Sequence, residues 1–129
     1  MGYSILVVED DPIVSDCLRD FLGQEGHSVY GMDREAALRL FPARNLSLDL
    51  LIVNLGVNKG ERGREMVRVA KEYHPEVKIL LISGGTTAAE LEIIARLIGA
   101  DAALAKPFDL VELQAKLAEL YPQGTPAGK

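Results

Sequence analysis

Five short apolar runs alternate one for one with five helical patterns, and together they predict an α/β three-layer sandwich: a parallel sheet between two layers of helices. Two further observations support this class. The runs Ser4–Val8, Leu48–Val53 and Lys78–Ser83 are nearly continuous in Ile, Leu and Val, as expected of parallel strands covered on both faces. The joints are short and carry capping residues, so each helix must fold straight back onto the sheet. A chain of 129 residues is long enough to bury one sizeable core.

Taken in order, the first run, Ser4–Val8, ends on the acids Glu9, Asp10 and Asp11, and Asp11-Pro12 opens the first helix with proline where its missing N–H costs nothing. Gly26 stops that helix. The second run, His27–Met32, has a mixed pattern suited to an edge strand, and Asp33 caps the helix Arg34–Phe41. The third run, Leu48–Val53, closes on Asn54, and His74-Pro75 ends the helix that follows. After Lys78–Ser83, Thr86 or Thr87 with Glu90 forms a capping box before Leu91–Ile98, which Gly99 ends. Ala102–Ala105 is a short fifth strand made mostly of alanine, and Asp109 with Glu112 starts the last helix.

Right-handed crossovers leave few ways to wind five such units, and the flavodoxin-like (βα)5 order 2-1-3-4-5 is the natural one. Ligands bind such sheets beyond the carboxyl ends of the strands, where the order reverses. Strands one and three flank that switch, so Glu9, Asp10 and Asn54 meet there. Carboxylates of this kind suit a hard cation such as Mg²⁺, although acids after a strand also serve as helix caps.

Composition narrows the function classes. The formal net charge of −5 argues against direct nucleic-acid binding and against attraction to an anionic membrane. No apolar run approaches the length of a bilayer span, and no secretory leader precedes the first strand, so a cytoplasmic protein is expected. The single Cys17 excludes an internal disulfide and, lying in a helical pattern without a nearby histidine, reads as structural.

The pieces Val7-Val8-Glu9-Asp10-Asp11, Leu80-Leu81-Ile82-Ser83-Gly84 and Leu104-Ala105-Lys106-Pro107-Phe108 resemble the receiver domain of bacterial two-component response regulators. The resemblance spans roughly residues 3 to 121 and implies a single receiver domain over 1–121, with 122–129 a disordered tail or the start of a linker. It implies Mg²⁺ on Glu9, Asp10 and the carbonyl of Gly56, a phosphate contact from Ser83, and a cis bond before Pro107 that turns Lys106 into the site. At the position of the phosphate-accepting aspartate stands Asn54, whose neutral amide oxygen is a poor nucleophile.

Two more departures accompany that one. The stretch Leu55–Gly63 lacks the family's Met-Pro step, has Asn58 where proline is expected and is one residue longer. The aromatic residue that moves inward on activation is Ala103 here. An engineered acceptor substitution explains only the first departure, whereas all three together suggest a pseudo-receiver that has lost the switch naturally. With two carboxylates instead of three, the site should be less strained without metal and its Mg²⁺ affinity weakened.

The expected role is a non-enzymatic interaction module whose partner is a histidine kinase, an effector or a second copy of itself, bound through helix four, strand five and helix five. On helix four, Leu91, Ile94 and Ile98 form the core stripe, leaving Ile93 and Leu97 exposed or merely more deeply buried. An ordinary regulator with its acceptor replaced is the alternative. A Mg²⁺-dependent phosphotransfer enzyme would need an aspartate nucleophile that is missing. The run Gly84-Gly85-Thr86-Thr87 is either an anion cradle or a flexible loop, and the flexible loop fits better without a P-loop lysine.

Overall fold

The computed structural model describes residues 2–43, 46–56 and 61–122. The strands are β1 (Ser4–Val8), β2 (Ser28–Met32), β3 (Leu50–Asn54), β4 (Lys78–Ser83) and β5 (Ala102–Ala105), and the helices are α1 (Pro12–Gln24), α2 (Arg34–Leu40), α3 (Glu61–Tyr73), α4 (Ala88–Ile98) and α5 (Leu110–Leu120). All neighbouring strands are parallel, in the order β2-β1-β3-β4-β5. This is the flavodoxin-like sandwich expected from the alternation. Asn58 and the tail 123–129 lie outside the described residues.

Strand side chains alternate between two cores. Leu6, Val8, Leu51, Val53, Ile79 and Leu81 face Ala37, Phe41, Met66, Ala70 and Leu91 of α2, α3 and α4 or their ends. Ile5, Val7, Leu50, Ile52, Leu80 and Ile82 face Leu18, Leu22, Leu113 and Leu117 of α1 and α5. Both faces are therefore sealed, which is why β1, β3 and β4 read as continuous apolar runs.

The helix ends follow their caps. Asp11 accepts from the Ile13 N–H and Asp33 from that of Ala36. Thr87, not Thr86, is the cap of α4, with a complete capping box to Glu90, and Asp109 with Glu112 makes another before α5. Gly99 ends α4 with φ of 90°, a left-handed conformation that glycine adopts without steric cost.

Three expectations need correction. β3 starts at Leu50 rather than Leu48, because Asp49 spends its side chain on the Ser4 N–H at 2.7 Å. β2 starts at Ser28 because His27 is a strand-end acceptor, its Nδ1 taking the Tyr3 N–H at 3.0 Å. Cys17 is exposed, since Ser15, Leu18 and Leu22 occupy the buried face of α1.

At the amino edge of the sheet Tyr3 stacks between His27 and Tyr121, with ring centroids 5.0 and 4.6 Å apart. The Tyr121 hydroxyl donates to the Asp49 carbonyl at 2.6 Å, and burial, followed by the Asp49 carboxylate, pushes its pKa up to about 12. That pins the end of α5 to the entrance of β3.

Gly63 lets α3 press against the chain leaving β3. A Cβ there would come within 2.7 Å of the Leu55 carbonyl oxygen, which is backbone and cannot step aside. The same carbonyl accepts from the Gly63 N–H at 3.1 Å. Gly63→Ala should lower stability by about 1–3 kcal/mol, the usual cost of overpacking. The check is the midpoint of urea unfolding.

Candidate functional site

Parallel register delivers the predicted residues to one edge. Val8 pairs with Val53, Asn54 with Ile82 and Ser83 with Ala105, so the residues at or just past these strand ends converge. Glu9 is the centre. It is 5% exposed, and its carboxylate accepts three hydrogen bonds: Lys106 Nζ at 2.8 Å on Oε1, and Asn54 Nδ2 at 3.0 Å and the Asp11 N–H at 3.3 Å on Oε2. An ionised carboxylate offers about four acceptor positions, so Glu9 is close to saturation.

The Asn54 amide is oriented by this contact. Only its NH₂ can donate to a carboxylate, which leaves Oδ1 to accept from the Gly56 N–H at 3.4 Å. Where an aspartate would set a second negative charge against Glu9, Asn54 supplies a donor. Gly56 is exposed, with φ of +83°.

Lys106 reaches Glu9 across the site. The Lys106–Pro107 peptide bond is cis, and the Lys106 N–H bonds the Ser83 carbonyl at 2.7 Å. Ser83 is buried and its hydroxyl donates to the Gly84 carbonyl at 3.0 Å, the local backbone use open to any strand-end serine. Ala103 stands apart from this group. It is buried in β5 on the side of Leu91 and Ala95, where its small side chain belongs to the α4 core.

Glu9 and Asp10, neighbours in sequence, part company in the fold, since Asp10 is exposed. It shares a cavity of about 30 Å³ with Asn54, Gly56, Arg34 and Arg62, and an outer cleft of about 300 Å³ with both arginines. Arg34 pairs with Glu65 of α3, and its Nε is buried without a partner among the described residues. Neither arginine was foreseen from the sequence. A signal was nevertheless present: both stand in the first turn of a helix, where the macrodipole disfavours cations.

A Mg²⁺ ion demands near-octahedral oxygen ligands. Asp10 and the Gly56 carbonyl are candidates, but Glu9 is committed to Lys106 and Asn54. Among the described residues no group of three or more His, Cys, Asp or Glu is placed to hold a metal ion. A cleft of about 550 Å³ lies at the opposite edge beside Tyr73, Val77 and Tyr121 and touches none of these groups.

Residues 5–118 match the family model of the response regulator receiver domain. The chain belongs to that family. Over 120 residues this receiver is 30% identical to the TorCAD operon transcriptional regulatory protein TorR of Escherichia coli, covering 93% of the chain and 50% of TorR. It is 34% identical over 113 residues to the nitrogen assimilation regulatory protein NtrX of Azorhizobium caulinodans, covering 84% of the chain and 24% of NtrX. The chain thus spans half or less of these curated relatives. Among solved structures, the non-phosphorylated HemR receiver domain of Leptospira biflexa superposes with a TM-score of 0.78 at 24% identity, over 97% of this chain and 98% of that one. That likeness bears on the fold alone. Among the described residues no helix is long and apolar enough to cross a membrane.

The receiver's site geometry carries a stability consequence. Glu9 has a side chain only 2% exposed, and Lys106 is its cationic partner. Lys106→Met leaves that carboxylate uncompensated and should cost about 3 kcal/mol, with Glu9→Gln/Lys106→Met recovering most of the loss. Thermal and urea unfolding of the three proteins would test it; equal stability of Lys106→Met and the parent would contradict the pairing.

Proposed function

We propose that this receiver acts as a protein-interaction module in two-component signalling without aspartyl phosphorylation. The observation that carries the reading is the Asn54 amide, which stands at the acceptor position and donates to Glu9 at 3.0 Å. Phosphoryl transfer to a receiver needs a carboxylate oxygen to attack phosphorus. Here the nearest carboxylate, Glu9, is buried and engaged by three donors. Mg²⁺ affinity is weakened for the same reason, since a metal would have to compete with Lys106 and Asn54 for Glu9.

Output then comes from docking through the face of α4, β5 and α5, with a histidine kinase, an effector or a second copy as partner. Ile93 and Leu97 support this face, being 58% and 77% exposed on a helix whose buried side is already filled by Leu91 and Ala95. Beside them lies a cleft of about 180 Å³ floored by Ala95, Ala102 and Ala103. The protein works in the cytoplasm, among kinases and regulators of its family, without a catalytic role of its own.

The second reading is an ordinary regulator whose acceptor has been replaced. The Lys106–Glu9 pair and buried Ser83 favour it, because both are parts of the phosphorylation machinery. Ala103 and the altered stretch after Asn54 favour the first.

Acetyl phosphate labelling separates the two. The parent should take up no phosphoryl group, and Asn54→Asp should remain at or near background under the first reading but label readily under the second. Asn54→Asp should also lose about 1–3 kcal/mol without metal, because a donor to Glu9 becomes a like charge. Part of that loss should return with Mg²⁺, measured as a rise in melting temperature. Leu97→Asp should abolish capture of a cognate kinase, effector or second copy while leaving the melting temperature within a degree or so, about what a surface substitution costs.

A further inference from the structure

We infer that this site has replaced its divalent metal with cations of its own chain, Lys106 serving Glu9 and the Arg34–Arg62 pair serving Asp10. The inference goes beyond the loss of the acceptor, because it concerns Asp10 rather than Asn54 and holds whether or not the domain is phosphorylated.

The argument begins with Asp10. It is exposed, among the described residues it has no ion-pair partner within 4.0 Å, and it lines a cleft with two arginines. Arg34 and Arg62 line both the inner and the outer parts of that cleft. Arg62 comes from the first turn of α3, with its Cβ 3.7 Å from where a Cβ on Gly56 would stand, and is exposed. Arg34 is the first residue of α2 and is held in place by Glu65.

A metal site needs acceptors around it, and this cavity adds two guanidinium groups to the few acceptors that line it. The buried Arg34 Nε–H lacks a partner and calls for an oxygen. Asp10 is the carboxylate lining the same 30 Å³ cavity, a space for about one water. A divalent ion there would face the Arg62 guanidinium, the Glu65-paired Arg34 and the positive ends of two helices, and it would satisfy none of the donors. Both arginines occupy helix positions where a cation is disfavoured and a nearby anion offsets the cost; Glu65 does so for Arg34, and Asp10 lines both parts of the cleft with Arg62. The acids Asp33, Glu35, Glu61 and Glu65 near these helix starts keep the pair from accumulating excess positive charge.

Titration with Mg²⁺ alone, followed by amide NMR shifts of Glu9, Asp10 and Gly56, tests the assignment in the parent and in Asn54→Asp. Arg62→Ala should strengthen Mg²⁺ binding by about tenfold or more in both backgrounds, the effect of removing one close like charge. Arg62→Lys should not, because it keeps the charge. Arg64→Ala is the control, since it changes net charge equally on the same helix without lining the cleft. The inference is overturned if Arg62→Ala leaves Mg²⁺ binding unchanged in either background, or if Arg64→Ala acts as strongly as Arg62→Ala. Acetyl phosphate labelling of the same Asn54→Asp protein reads the loss of the acceptor separately, so either idea can fail without the other.

Discussion

The carboxylate of Glu9 is the constraint around which this domain's functional edge is arranged. Burying a charge of that kind costs several kcal/mol unless partners replace its water. The partners come from far apart in the chain: Asn54 from β3, Lys106 from beyond β5, and the Asp11 N–H from the start of α1. Only a sheet with β1 beside β3, and with β5 two strands further on, can bring a side chain of Lys106's length to Glu9 while Asn54 makes direct contact. The strand order is therefore also the wiring of the site. Saturation of Glu9 in turn decides what remains available to a ligand, namely Asp10, the Gly56 carbonyl and the arginines beside them.

Much of this is legible in the sequence. Sealed strands declare themselves as unbroken apolar runs, because both faces must satisfy a core, and that alone gave the sheet and the meeting of Glu9 with Asn54. The caps Asp11, Asp33, Thr87 and Asp109 were legible for a local reason: each needs only a few residues of context. What sequence could not reveal depends on distances between separate elements. Whether Glu9 or Asp10 turns inward is decided by the direction in which β1 ends, and Asp11 rather than Asp10 takes the capping role. Arg34 and Arg62 matter through the approach of α2 and α3 to β1, which no spacing along the chain reports. Cys17 was misread because a helical pattern shows that a buried face exists, whereas its phase is settled by Leu18 and Leu22.

Ala103 links the site to the outer face in a different way. It belongs to the core cluster of Leu91 and Ala95, and a cleft is lined by Ala95, Ala102 and Ala103. A side chain that must swing between two positions needs volume in both. An alanine has no such second position to fill.

A switch requires two arrangements of comparable free energy and a ligand that binds them unequally. In this receiver the groups that would have to rearrange already hold partners. Lys106 is paired with Glu9, Asn54 donates to the same carboxylate, and the Ser83 hydroxyl is satisfied by Gly84. Each arrangement is stabilised without a phosphoryl group, and the amide at position 54 cannot form the covalent adduct that would favour an alternative. A ligand with no differential affinity shifts no population, however high its concentration. On the proposed reading, the face carrying the exposed Ile93 and Leu97 needs no phosphoryl signal to be presented. The same reading makes occupancy of that face a matter of the partner's concentration and affinity, and so places control of signalling in how much partner is present.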